Sequence, residues 1–165
     1  MIPLHADLYI LQKTVYEPAG LTITDIAQDA EGHDYSAATF SINETRIIFR
    51  RGKITPKKVG FFVTLWKREG GESIEPYSTQ DPFDCVIISV RNGERLGQFI
   101  FPVAVLSEQE VISSDAGEGK LALRVYAPWD APENELAQKT QQWQARYFFE
   151  VIPGKNLERI KKLFA

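Results

Sequence analysis

Apolar residues near the N-terminus recur at a helical spacing. They occupy positions 4, 8, 11 and 15, so one face of a helix over residues 4–16 would be apolar. Pro18 and Gly20 end this helix, because proline cannot continue the backbone hydrogen bonds of a helix and glycine favours a turn. The sequence therefore predicts a first helix that packs one face against a core.

The middle of the chain shows the patterns of strands. The run from Asp84 to Val90 is almost continuously apolar, which predicts a central strand covered on both faces. The turn signal Asn92-Gly93 joins it to a returning strand over residues 96–101. Further strands are predicted over residues 21–26, 38–43, 46–51, 59–67 and 121–126, with 38–43 and 46–51 as a hairpin and with 51–58 and 68–81 as loops.

Helical spacing returns in the second half of the chain. A short helix is predicted over residues 103–106, a long one over 133–150 and a last one over 156–164. In the long helix, Leu136, Thr140, Trp143 and Tyr147 lie on one stripe. The order of elements predicts a mixed α/β (α+β) fold, a single domain over residues 1–165 with a central mixed β-sheet flanked by helices.

Composition narrows the class of protein. The chain has 165 residues, 44% of them hydrophobic, and a formal charge of -3. The negative net charge excludes a protein whose whole surface is basic. Cys85 is the one cysteine, so no internal disulfide can form. The N-terminal residues lack a signal-peptide pattern, and no apolar stretch approaches the roughly 20 residues that span a bilayer. We expect a cytoplasmic protein without a membrane partner.

Positive charge is concentrated in one segment. Between Glu44 and Glu69 the chain carries eight Lys or Arg and no acid: Arg46, Arg50, Arg51, Lys53, Lys57, Lys58, Lys67 and Arg68. Phe49, Phe61, Phe62 and Trp66 lie within the same run. Cations interleaved with rings suit a phosphate chain that carries bases. The alternative is a solvated strand edge whose lysines prevent pairing with other chains.

Two later segments offer similar chemistry. In RVYAPWD, Arg124 and Tyr126 share a strand face and Trp129 follows in a loop, so that they could contact a phosphate and a base. Trp129 could equally fill the core. In QKTQQWQAR, Lys139 and Gln142 lie on one helix face, which is either an extension of a cationic groove or a plain solvated face.

Catalytic and metal-binding patterns are incomplete. His5 and His33 have no partners at the spacing of a catalytic triad or a zinc site, and no phosphate-binding glycine motif occurs. Asp84 at the start of one strand and Gln98 on the next correspond to the acids that hold Mg²⁺ in metal-dependent nucleases, but Gln98 is neutral and Ile100 stands where a lysine is needed. We predict no catalytic residue, metal or cofactor.

The motifs KITPKKVGFFVTLWKR, GQFIFP, RVYAPWD and AQKTQQWQ resemble the MepB family. The resemblance implies a nuclease-like fold of the PD-(D/E)xK type, with a restriction-endonuclease-like core and degenerate catalytic acids. It also implies a bacterial origin, an association with drug resistance, and binding of single-stranded DNA or RNA. The matched positions predicted to bind are Lys53, Lys57, Lys67, Arg68, Arg124, Trp129, Lys139 and Gln142. Val103 departs from the lysine expected after Phe-Pro.

Three hypotheses follow. The first is a nucleic-acid-binding protein without a complete catalytic site or an obligate protein partner. It requires the distant lysines and arginines to come together in one trough. The second is a Mg²⁺- or Mn²⁺-dependent nuclease or phosphodiesterase with an atypical site around Asp84 and Gln98. The third is a small-ligand-binding protein, which the association with drug resistance suggests.

Overall fold

The computed structural model describes residues 6–29, 31, 35–69, 71 and 73–165. Residues 4 and 5 of the first predicted helix, both histidines and part of the predicted loop 68–81 lie outside these ranges. The helices are α1 (Ala6–Leu11), which continues as a π-helical turn (Gln12–Tyr16), α2 (Val103–Glu108), α3 (Glu135–Ala145) and α4 (Leu157–Leu163). The strands are β1 (Ile23–Gln28), β2 (Ala38–Ile42), β3 (Thr45–Arg51), β4 (Lys53–Thr55), β5 (Lys58–Thr64), β6 (Trp66–Lys67), β7 (Glu75–Pro76), β8 (Cys85–Asn92), β9 (Arg95–Pro102), β10 (Ala122–Val125) and β11 (Phe148–Glu150).

A six-stranded central sheet has the order β1-β2-β3-β8-β9-β11. Its neighbours are antiparallel except for β3 and β8, which run parallel, so the sheet is mixed as predicted. Residues 85–90 of β8 are all buried, because the strand is paired on both sides and covered on both faces. The predicted mixed α/β fold and the predicted hairpin of β2 and β3 are confirmed.

Alternate residues of the central sheet face two separate cores. Ile47, Phe49 and Ile87 pack with α1, the π-helical turn and α4 in the first core. Ile48 and Val86 face the second core, which is closed by a three-stranded sheet of order β10-β5-β4 and by residues of α3. The central sheet therefore lies between a layer of helices and the small sheet. The face of the small sheet that points away from the second core is its outer face.

The helix predicted over residues 133–150 is wrong in its last part. The helix ends at Ala145, and Phe148–Glu150 form β11 on the edge of the central sheet against β9. Phe148 faces the second core and Phe149 the first, an alternation that a strand allows and a helix does not. The prediction that Leu136 lies on the apolar stripe of this helix is wrong, because Leu136 is 77% exposed.

The predicted loop over residues 51–58 contains a strand. β4 pairs with β5 across a turn at Pro56 and Lys57, with an irregular register near Thr55. Gly52 and Pro56 indicated a loop, but tertiary pairing against β5 extends the backbone here. The strand predicted over 21–26 is shifted, since β1 spans Ile23–Gln28 and carries a bulge between Thr24 and Ala27.

Candidate nucleic-acid interface

A row of cations and rings crosses the outer face of the small sheet. Phe62 on β5 lies directly opposite both Lys53 on β4 and Arg124 on β10. Residues in such register project to the same face, and this face is the outward one because the neighbouring Phe61 is buried. The Arg124 guanidinium lies 5.8 Å from the centre of the Phe62 ring, and the Lys53 ammonium lies 4.7 Å from the centre of the Tyr35 ring.

This outer face forms the floor of a groove, and α3 forms one wall. The groove has a volume of about 570 Å³ and is called the basic groove below. The described residues of its lining include the cations Lys58, Lys120 and Arg124. Its lining rings are Phe62, Tyr126 and Trp143.

Acidic groups are missing from the lining of the basic groove among the described residues. No Asp or Glu belongs to it, although the whole chain is acidic. In the described part of the chain, Lys58, Lys120 and Arg124 also take part in no ion pair. Arg124 donates from Nη1 to the carbonyl oxygen of Val59 at 3.3 Å, which leaves its positive charge without a carboxylate partner. A local positive potential within an acidic protein attracts anions to this surface.

The floor of the basic groove depends on a glycine. Gly60 has a φ of +89°, and a Cβ atom there would lie 2.8 Å from Cδ1 of Tyr126 and 2.8 Å from the carbonyl oxygen of Val125. The absence of a side chain at Gly60 allows the Tyr126 ring to lie against β5. A side chain at residue 60 would therefore displace this ring from its place in the groove lining.

The wall of the basic groove is attached by one buried amide. Gln144 on α3 is 1% exposed. Its Oε1 accepts the backbone N–H of Tyr126 at 2.8 Å and its Nε2 donates to the carbonyl oxygen of Arg124 at 3.1 Å. These two bonds join α3 to the edge of β10 that, in the described part of the chain, pairs with no further strand. The groove is thus formed by the docking of α3 against the edge of β10.

The structure does not bring all eight predicted binding residues into one groove. Arg124 lines the basic groove and Lys53 lies in the row across its floor. Lys57 lines an adjoining cavity of about 470 Å³ that shares Lys58 and Arg124 with the basic groove and also includes Glu133. Lys57 and Arg124 thus share a cavity, and Lys53 lies across β5 from Arg124.

Lys67 and Arg68 lie beyond the other end of β5 and are matched with acids. The Lys67 ammonium contacts Asp81 at 2.6 Å, Glu69 at 3.2 Å and Glu75 at 3.5 Å. The hydrogen bond to Asp81 is the main cause that raises the pKa of Lys67 above its usual value. Arg68 pairs with Glu31 at 3.1 Å. Their charges are therefore not part of the positive field of the basic groove.

The three remaining predicted residues lie outside the lining of the basic groove. Trp129 packs edge-on against Phe148, with 5.3 Å between ring centres, and the Arg95 guanidinium covers its ring at 4.4 Å. Lys139 is exposed and lies 3.8 Å from Glu135 one helical turn away. Gln142 is exposed on α3, on a different side from the residues that line the groove.

Asp84 and Gln98 do not form a joint site. Gln98 lies opposite Ser89, five residues along β8 from Asp84, which corresponds to roughly 16 Å. Gln98 is fully buried and its Oε1 accepts the hydroxyl proton of Tyr16. The exposed Asp84 accepts the backbone N–H of Arg46 at 2.8 Å. The predicted pairing of these two residues around a metal is therefore wrong in its geometry.

Other elements of the described structure add little chemistry. No group of three or more His, Cys, Asp or Glu suited to a metal ion occurs among the described residues. Burial in β8 raises the pKa of the Cys85 thiol to about 12, with the Asp84 charge as a second cause. Within the described ranges, no helix is both long enough and apolar enough to cross a bilayer.

Comparison with known proteins assigns the chain to a family. The family model of MepB-like proteins matches residues 29–150. The chain belongs to the MepB-like family. The match includes β2 to β11 and thus every residue of the basic groove, whereas α1 and α4 lie outside it. The resemblance inferred from the sequence motifs is confirmed.

A solved structure agrees with the family assignment. The crystal structure of MepB has 36% sequence identity to this MepB-like chain and a TM-score of 0.74, and the match covers 78% of this chain and 86% of that chain. The comparison with curated proteins gave no match.

Sequence reasoning missed part of the basic groove. Lys120 is a single lysine after a glycine-rich loop, and nothing in its neighbourhood marks it as a site residue. From the sequence, Phe62 is one of the rings of the basic segment, and Tyr126 shares a strand face with Arg124. What the sequence did not reveal is that β5 and β10 are neighbours, with Phe62 and Arg124 in register.

Proposed function

We propose that this MepB-like protein binds nucleic acid, preferably single-stranded DNA or RNA, in the basic groove. The observation that carries the proposal is the lining of the groove by three cations and three aromatic rings without an acid among the described residues. Phosphates would contact Lys58, Lys120 and Arg124. Bases would stack on exposed parts of the rings, which a single strand offers and a duplex hides.

A second feature supports a chain-like ligand. Lys53 and Lys57 extend the positive charge away from the basic groove on the side of β4, in a direction across the strands. A series of cations over several strands suits a polymer of phosphates better than a single phosphate group. Binding by such contacts releases counterions and is therefore sensitive to salt.

The test is a salt series with labelled single-stranded RNA and DNA. We expect the logarithm of the affinity to fall with the logarithm of the salt concentration, with a slope of about -0.7 per phosphate contact. Replacement of Lys58, Lys120 and Arg124 by Gln should reduce the steepness of this slope by about 2. Fluorescence anisotropy measures both quantities.

A matched control separates the groove from general charge. Lys155, Lys161 and Lys162 are exposed residues near or in α4, which packs on the opposite side of the central sheet. Their replacement by Gln removes the same charge and should leave the slope unchanged. Equal loss in both triple variants, or no binding by the unaltered protein at low salt, would contradict the proposal. An unlabelled duplex of equal length should compete less well than a single strand.

A further inference from the structure

A second cleft lies on the same side of the central sheet, beyond the edge of the small sheet. The small sheet packs over β8, β9 and part of β3, and within the described ranges it does not extend over the outer face of β1 and β2. The cleft between this face and the segment that includes β6 and residues 77–83 has a volume of about 560 Å³. That volume is in the range of small-molecule sites.

The walls of the cleft are aromatic on one side and polar on the other. Tyr77 and Phe83 form an edge-to-face pair with 5.5 Å between ring centres, and both line the cleft. Thr39, Ser41 and Arg46 line it from the sheet, in the register Ser41 opposite Arg46. Apolar walls with a few polar groups are the usual composition of a site for a small organic molecule.

Most of the charges that line the cleft are already matched. Lys67 pairs with Asp81 and Glu69, and Arg68 pairs with Glu31. Two charged side chains of the lining, Asp25 and Arg46, have no ion-pair partner in the described part of the chain. A ligand would therefore meet one carboxylate and one guanidinium that are not yet neutralised.

The position of Asp25 results from an irregularity in β1. The register with β2 shifts between Thr24 and Ala27, and Asp25 has a φ of +56°. Bulges of this kind redirect a side chain relative to a regular strand. Thr24, next to Asp25, lies opposite Ser41, and Ser41 lies opposite Arg46. The backbones of Asp25 and Arg46 are therefore two strands apart, at a separation of about 10 Å.

We propose that this cleft binds a small aromatic zwitterion. The cationic group of the ligand would contact Asp25, its anionic group Arg46, and its ring the edges of Tyr77 and Phe83. A single added charge would leave one of the two protein charges without a partner, whereas a zwitterion matches both. The inference is independent of nucleic-acid binding, because no described residue lines both cavities.

The test compares four probes of related shape: phenylalanine, phenylalaninamide, N-acetylphenylalanine and alanine. They are respectively an aromatic zwitterion, an aromatic cation, an aromatic anion and a zwitterion without a ring. We expect phenylalanine to bind about tenfold more tightly than each of the other three. Titration with ¹⁵N-labelled protein should shift the amide signals of Thr39, Ser41 and Tyr77.

Two variants assign the charges. Asp25→Asn should remove the advantage of phenylalanine over N-acetylphenylalanine, and Arg46→Gln should remove its advantage over phenylalaninamide. Asparagine tolerates the left-handed conformation of residue 25, so the fold should persist, which the amide spectrum reports directly. Glu158→Gln on α4 is the control and should leave all affinities unchanged.

Three results would overturn the proposal. They are equal affinities for the three aromatic probes, the absence of saturable shifts up to the solubility limit, and charge variants that leave the preferences as they are. Binding of RNA by the same samples should not change in Asp25→Asn or Arg46→Gln, so a failure of this proposal is distinguishable from a failure of nucleic-acid binding.

Discussion

At the scale of single residues, Gly60 has the clearest physical role in the basic groove. Its φ of +89° is costly for any residue with a side chain, and the Tyr126 ring occupies the space that a Cβ atom would need. Gly154 has a similar φ of +78°, but a Cβ atom there would meet no described residue within 4 Å. The two glycines therefore separate the cost of the backbone conformation from the cost of the contact.

Gly60→Ala should reduce the free energy of unfolding by about 1–3 kcal/mol more than Gly154→Ala does, because overpacking against the Tyr126 ring and the Val125 carbonyl oxygen adds to the backbone cost. Urea denaturation measures both variants. Since the Tyr126 ring must move, Gly60→Ala should also weaken binding of single-stranded RNA, and Gly154→Ala should not. Equal destabilisation by the two substitutions would show that the ring contact contributes nothing.

At the scale of elements, α3 is both a wall of the basic groove and a cover of the second core. The helix is short and ends before β11, so its position depends on contacts with neighbouring elements. Trp143 contacts Phe101 in the core at 5.4 Å between ring centres, and Gln144 bonds to the backbone of β10. Its N-terminus is capped by Asn134, whose side chain accepts the N–H of Ala137 at 2.7 Å.

Gln144→Ala should reduce the free energy of unfolding by about 1–3 kcal/mol, because it leaves the N–H of Tyr126 and the carbonyl of Arg124 without their partner. It should also weaken nucleic-acid binding by displacing the groove wall. Gln142→Ala on the exposed side of the same helix is the matched control, and we expect a change within about 0.5 kcal/mol. A binding defect in Gln142→Ala alone would instead favour the assignment of Gln142 made from the sequence.

At the scale of the whole molecule, charge and burial are distributed unevenly. The net charge is -3, yet the lining of the basic groove is free of acids among the described residues, and the charges at Lys67 and Arg68 are matched locally.

The central strands β8 and β9 are covered on both faces. Solvent reaches the buried side chains of β8 and β9 only when one of the covering layers separates from the central sheet.

Reaction of the buried Cys85 thiol with a reagent in solution can measure how often β8 becomes exposed. Burial in β8 raises its pKa to about 12 from an ordinary value of 9.0, so thiolate formation favours the unfolded chain. The resulting contribution to stability is complete below about pH 9 and is lost as the pH rises towards 12. At about pH 8 we expect an aromatic disulfide reagent to react with native protein far more slowly than with glutathione.

Low urea concentrations should accelerate this labelling in proportion to the unfolded fraction, and protein in strong denaturant should react at the rate of glutathione. Absorbance of the released thiolate measures the rates. Rapid stoichiometric labelling of native protein would contradict the described burial and indicate a local opening near β8.

Long, strongly patterned elements were predictable from the sequence. The apolar run of β8, the turn at Asn92 and Gly93 and the returning β9 follow from local composition, and so does α4. β4 and β11 were not predictable, because each is three residues long and is extended by its pairing with β5 or β9. A pattern of three residues carries too little periodicity to compete with its flanking signals.

The basic groove was predictable only in part. Lys53, Lys57 and Arg124 were assigned to binding from charge and motif, and the structure brings them near one another. Lys67 and Arg68 have the same side chains in the same acid-free segment, yet they meet Asp81 and Glu31 from distant parts of the chain. The segment between Glu44 and Glu69 contains no acid, but the fold brings acids from other parts of the chain next to it.

The sequence alone determined the composition of the elements, the mixed character of the fold and the family, because these depend on periodicity, turn chemistry and local motifs. The tertiary structure decided which cations share a surface and which are neutralised, because Coulomb interactions depend on distance in space and strand pairing brings residues together from far along the chain. Phe62 and Arg124 stand 62 positions apart in the sequence and side by side in the sheet.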